Sequence, residues 1–256
     1  MASVPEEAST AISLGPVLTR GFAALRANFP AFFAAAFLST GFPTMIAENP
    51  RVASLGSQVP DYLIWPFAIA LASVPLLGFV LLEGFVIRAA ILHMSGRPPE
   101  YGASAFNALR LILPLTGIYI VTVLAVGLGL VLAIVPGIIA YCALVLAVPA
   151  LVEERRGVSD SLRRSRDLTS GSRWPIFMLS LLCWAISFVL AALASKISGV
   201  SMFDPAAAEG GIRAIPEAIT SSLSSVLTAT MIAALYVELR TVKEGATEET
   251  LAAIFE

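Results

Sequence analysis

Glu83 is the residue whose setting asks most for a chemical explanation. It lies in the apolar run Leu63 to Met94, whose only other ionisable side chains are Arg88 and His93. A carboxylate deep in a hydrophobic helix is costly, and by default it marks an ion or proton route. The competing explanation is structural pairing. Arg88 is five residues away, a poor spacing for a pair on one helix, so a partner on another helix is expected if the role is structural. Glu83 and Arg88 together form the candidate intramembrane polar site.

The densest basic stretch is Glu153 to Arg173. It carries Arg155, Arg156, Arg163, Arg164, Arg166 and Arg173 among the acids Glu153, Glu154, Asp160 and Asp167. Arginine forks suit phosphate oxygens, and basic segments beside a bilayer attract anionic lipid. Arg155, Arg156, Arg163 and Arg164 are therefore the candidate lipid-phosphate contacts. The simpler reading is a solvated helix whose charge sets topology. The last apolar run has its own chemistry in Thr220, Ser221, Ser222, Ser224, Ser225, Thr228 and Thr230. Small hydroxyl residues let helices approach closely and hydrogen-bond across the contact. The less favoured alternative is that they line a polar path.

Catalytic signatures are absent. The chain has no G-x-S-x-G, Walker A, H-E-x-x-H or dinucleotide fingerprint. His93 is the only histidine, which excludes a multi-histidine metal site within one chain. Cys142 and Cys183 lie in uncharged apolar stretches and read as buried apolar residues, not as a disulfide or metal pair. No catalytic residue, metal or cofactor is expected, and no enzymatic activity.

These residues must be held by membrane helices. The chain has 57% hydrophobic and 13% charged residues and a mean hydropathy of +0.86, far from soluble composition. A net charge of −2 gives no reason to expect nucleic acid. The expected fold is all-α: a polytopic bundle of about six transmembrane helices with cytoplasmic amphipathic interfacial helices. The spans are expected at about 29–47, 63–94, 113–134, 138–152, 174–194 and 215–237, with 238–256 as a cytoplasmic tail. Pro75 should kink the second span. Polar loops are expected at Glu48–Asp61 and Ser195–Arg213. Residues 111–152 carry no charge. As one helix they would reach roughly 63 Å, about twice the hydrocarbon thickness, so a break at Pro136-Gly137 is expected to fold them into a hairpin.

Placing the connections on alternate sides puts thirteen basic residues with the two termini and three, Arg51, Lys196 and Arg213, on the other side. Positive-inside bias then places both termini in the cytoplasm. Arginine far outnumbers lysine (only Lys196 and Lys243), which hints at a GC-rich bacterial genome. The N-terminal residues lack the features of a secretory signal.

A pattern recurs. Phe22-Ala23-Ala24-Leu25-Arg26 precedes Pro30, and Phe106-Asn107-Ala108-Leu109-Arg110 precedes Pro114. A looser copy spans Ser161 to Pro175. The chain can be read as three hairpins, each introduced by an interfacial basic segment.

The residues from 135 to 175 also carry a family resemblance. Pro136-Gly137-Ile138, Ala147-Val148-Pro149-Ala150-Leu151-Val152-Glu153, Ser161-Leu162-Arg163-Arg164-Ser165, then Leu168-Thr169 and Gly171, form the strong part. Leu235-Tyr236-Val237-Glu238-Leu239-Arg240 with Glu244-Gly245, and the early Arg20-Gly21-Phe22 with Leu25 to Phe29, add to it. Together they resemble the bacterial glycerophosphoryl diester phosphodiesterase membrane domain and related inner-membrane families. Where that group commonly has an aromatic after the arginine-serine pair, Arg166 stands here. The resemblance implies inner-membrane helical architecture and marks Pro136, Gly137, Glu153, Ser165, Gly171, Tyr236 and Arg240 as a structural motif. It implies no reaction, because the soluble phosphodiesterase has no counterpart in this chain. The expectation is a non-enzymatic envelope protein whose partners are membrane lipids or other membrane proteins. The alternative is a small transporter or lipid-translocating protein using Glu83 and the Ser/Thr-rich last span.

Overall fold

The structure is a computed structural model that describes residues 12–47, 52, 54–55, 59–155, 157–199 and 214–255, with side chains to Gly245. Most of the expected 48–61 loop, residues 200–213 and Arg156 lie outside the described residues. The described residues are helical, with no strand, and six helices are long and apolar enough to cross a membrane.

The first helix, α1 (Leu14–Ala36), starts well before the expected residue 29. It passes into a wider i→i+5 turn at Phe37–Gly41 and then into α2 (Phe42–Ala47). Val17, Gly21, Ala24, Asn28, Phe32 and Ala36 are its buried residues. Their spacing of three and four draws one packing stripe from the arginine-bearing segment into the span. That stripe packs along the last helix, so the segment around Arg20 and Arg26 is not a separate interfacial helix. Pro30 is held inside α1. The wide turn sits just before Pro43, which has no N–H to offer the Ser39 carbonyl. A Cβ added at Gly78 of the next helix would overlap that carbonyl, so only glycine allows this approach.

That next helix, α3 (Asp61–Met94), runs as one element through Pro66 and Pro75. Its first half is largely exposed, while residues 82–91 are buried on nearly every side. A short amphipathic helix, α4 (Tyr101–Arg110), buries Ser104 and Ala108 and leaves Phe106 and Leu109 outside. The Tyr101 hydroxyl donates to Asn28 Oδ1 at 2.7 Å, which ties α4 to α1.

A hairpin follows, α5 (Ile112–Leu132) and α6 (Ile134–Leu144). Its break falls at Ala133, extended at φ −170° and ψ 160°, and not at Pro136-Gly137. Pro136 sits in the first turn of α6, where a proline ring costs least because the N–H would be unpaired anyway. Gly137 closes the hairpin: a Cβ on Gly129 would lie 2.8 Å from the Gly137 backbone.

The expected fourth span, 138–152, is two helices. α6 ends at Leu144 and α7 (Ala147–Glu154) follows after Val145 and Leu146. Pro149 has no N–H for the Val145 carbonyl, which favours the break there. Next come α8 (Val158–Thr169) and α9 (Arg173–Ser198). The last helix, α10 (Ala214–Phe255), continues past residue 237, so the expected tail is an extension of the span helix. α4 and α8 each lead through a short break into a span, as the repeat predicts, whereas the first copy lies within unbroken α1.

Packing is uneven. The fully buried side chains gather where α1, the second half of α3, α7 and residues 226–239 of α10 meet. The other ends of α3, α5, α6 and α9 show Trp65, Val123, Leu128, Leu132, Ile134 and Phe188 outward. Such apolar exposure would be anomalous in water and is what hydrocarbon accepts.

Candidate functional site

Two polar constellations stand out, one at the charged end of the bundle and one inside it. The first is built on the break between α6 and α7. That break leaves the Leu146 N–H and the Ala143 carbonyl without helical partners. Ser165 of α8 serves both: its hydroxyl accepts from Leu146 N at 3.2 Å and donates to Ala143 O at 2.7 Å. Thr169 Oγ1 reaches the same carbonyl at 3.5 Å. Ser161, Leu162, Ser165, Leu168 and Thr169 are the buried face of α8. The apolar face of this expected interfacial helix is therefore packed on protein.

Beyond this stitch lies a charged clasp. Glu154, at the end of α7, accepts from Arg164 Nε at 2.8 Å and from the Tyr236 hydroxyl at 3.0 Å. Arg164 also pairs with Glu244, and Arg240 Nε meets Glu244 Oε2 at 2.6 Å. Lys243 donates to the carbonyls of Asp167 at 2.9 Å and Ser170 at 2.7 Å. Arg20 pairs with Glu238 at 2.9 Å. The clasp thus fastens α10 to α7, α8 and α1. Burial opposes the Arg164 charge, and the hydrogen bonds to Glu154 and Glu244 outweigh it, so the guanidinium pKa is raised above its ordinary value.

The candidate residues divide accordingly. Arg164 is committed to carboxylates within the protein. Arg155 and Arg163 are exposed. Arg155 holds φ +51° at the end of α7, and Gly171, at φ +78°, turns the chain from α8 into α9. Of the motif residues, Ser165, Tyr236 and Arg240 meet in and around the clasp, while Pro136 and Gly137 lie at the hairpin. The carboxylate bonded to Tyr236 is that of Glu154. Glu153 Oε1 is buried without a hydrogen-bond partner. Sequence reasoning missed Glu154, Glu238 and Lys243 as clasp members. The spacing of Tyr236, Arg240 and Glu244, four apart on one helix face, is the signal that could have found part of it.

The second constellation surrounds Glu83. Its residue is 7% exposed, and Oε2 has no hydrogen-bond partner. No ion pair joins it to Arg88, whose Nε is also buried and unpartnered. The seven hydroxyl residues of α10 do not act as one group. Ser222 and Thr230 are buried and return their hydroxyls to Ala218 O and Val226 O of their own helix. Thr220, Ser221 and Ser224 line a cavity of about 100 Å³ with Ser187 and Glu217. A separate groove of about 460 Å³, nearly all apolar, runs between α1, α3 and α4 beside Phe85, Tyr101 and Leu109. Among the described residues, no three His, Cys, Asp or Glu side chains gather as a metal set.

Fold and site define an all-helical bundle with six helices suited to crossing a membrane and a charged clasp at one end. The chain belongs to the family described as a domain of unknown function (DUF7847), whose model matches residues 14–239. No curated protein and no solved structure matches it.

Proposed function

We propose that the chain is a non-enzymatic multi-pass protein of the bacterial inner membrane, with both termini cytoplasmic, that holds anionic phospholipid at its cytoplasmic end. The observation that carries this reading is the division of the arginines. Arg20, Arg164 and Arg240 are each paired with a carboxylate of the chain itself, while Arg26, Arg97, Arg110, Arg155, Arg163 and Arg166 are exposed. Unpaired guanidinium groups at a membrane boundary suit lipid phosphate. The apolar groove between α1, α3 and α4 supplies a place for an acyl chain. The positive-inside count supports the orientation, and the resemblance of residues 135–175 to glycerophosphoryl diester phosphodiesterase membrane domains agrees with an inner-membrane location.

Native mass spectrometry of gently extracted protein tests the reading. Retained phospholipid should fall in the combined Arg155→Gln, Arg163→Gln and Arg166→Gln variant. If no phospholipid is retained by the parent, or the variant retains as much, lipid holding is wrong. A second reading, passage of a small solute or ion, is favoured by one observation, the buried and unpartnered Glu83.

A further inference from the structure

We infer that the cleft between α6 and the start of α9 binds one anionic phospholipid, with its phosphate on Arg173 and an acyl chain along α6. This rests on the lipid-holding reading above and gives it a site that reading does not name. The stitch at Ser165 builds the cleft. Ser165 and Thr169 hold the end of α8 to the Ala143 carbonyl, at 2.7 and 3.5 Å. Gly171 then turns the chain at φ +78°, and α9 begins at Arg173. The first turn of α9 is thereby set against the Cys142 end of α6.

Between the two helices lies a cavity of about 370 Å³, a size common among small-ligand sites. Val135, Ile138, Ile139 and Cys142 form its wall on α6. They stand at i, i+3, i+4 and i+7, so they share one helix face over roughly 10 Å. Trp174 and Phe177 line it from α9, with ring centroids 5.8 Å apart. Among the described residues, Arg173 is the one charged side chain that lines this cleft. It is exposed, and no described carboxylate pairs with it.

An unpaired guanidinium on an otherwise apolar cleft selects the occupant. An apolar helix of a partner would cover Arg173 without neutralising it, which is costly. A soluble anion would satisfy Arg173 and leave the apolar walls unfilled. A phospholipid satisfies both: phosphate oxygens match the guanidinium fork, and an acyl chain fills the walls. Basic pockets between membrane helices suit acidic headgroups in this way. Trp174, 70% exposed beside Arg173, is a residue type that favours the headgroup level. A headgroup without an amine is preferred, because an ammonium near Arg173 repels it.

The test uses the full chain in detergent micelles with equal amounts of phosphatidylglycerol and phosphatidylcholine, read by native mass spectrometry. The parent should retain phosphatidylglycerol in preference. Arg173→Gln should lower that retention about ten-fold, the loss expected for one charge-assisted contact. Ile139→Trp keeps the charge, fills the cleft and should lower it as well. Phosphatidylglycerol with a photoactivatable acyl chain locates the site. It should crosslink to Ile138 and Phe177 in the parent and much less in Arg173→Gln, while the exposed Val123 and Leu128 of α5 react equally in both. Where Arg173→Gln does not fold, Ile139→Trp and the parent crosslinks carry the test. Unchanged retention in either variant, or parent crosslinks at Ile138 no denser than at Val123, overturns the site. If that occurs while the combined Arg155, Arg163 and Arg166 variant loses lipid that the parent keeps, lipid holding stands and this site falls. If the parent retains no phospholipid, both fall.

Discussion

Replacing Ser165 by alanine removes one oxygen and orphans two backbone groups. The Leu146 N–H loses its partner at 3.2 Å and the Ala143 carbonyl its partner at 2.7 Å. Ser165 is fully buried, so water does not readily replace the hydroxyl. A buried polar group left unsatisfied costs about 1–3 kcal/mol. The carbonyl keeps a weak contact from Thr169 at 3.5 Å, so the amide bears most of the loss. The expected destabilisation is about 2–3 kcal/mol, a shift in the folding equilibrium of roughly thirty- to 150-fold. Denaturant titration in mixed micelles, followed by tryptophan fluorescence, measures it. Hydrogen exchange localises it, because the Leu146 amide should exchange faster while helix-interior amides of α9 do not. Arg163→Ala, an exposed change on the same helix, is the comparison and should cost under about 0.5 kcal/mol. If Ser165→Ala behaves like Arg163→Ala, the stitch does not hold the broken helix, and the account of α8 is wrong.

Arg164→Gln removes the link between Glu154 and Glu244 and should loosen α10 beyond Tyr236. Because Glu244 is well exposed, the stability loss should be modest, about 1 kcal/mol, and limited proteolysis near residue 244 should rise, with no rise for Arg163→Gln. Gly137→Leu forces a side chain into Leu130 and the α5 backbone. It should open the hairpin, seen as reduced yield and a lower unfolding midpoint, whereas Gly127→Leu, which meets nothing within 4 Å, should behave like the parent.

The apolar runs by themselves determined the helical class and the number of membrane-sized helices, because a hydrocarbon environment requires every backbone group to be paired within its own segment. The hairpin within 111–152 was equally legible, since no bilayer accommodates so long an uncharged helix. Tertiary packing decided the rest. The buried stripe of α1 carries helix through Pro30 against α10, and charge pattern gave no sign of that. The break at Val145–Leu146 exists because Ser165, distant in sequence, satisfies the two groups it frees. Arg164 looked like its neighbour Arg163 in the sequence. Only the fold shows that one faces Glu154 and Glu244 while the other faces outward. The same holds for Glu83: sequence identified a costly carboxylate, but whether Arg88 neutralises it depends on which way two side chains five residues apart leave the helix. The structure leaves them unpaired. Local periodicity thus sets which segments are helices, and the partners of polar groups are set by contacts between segments that no local pattern encodes.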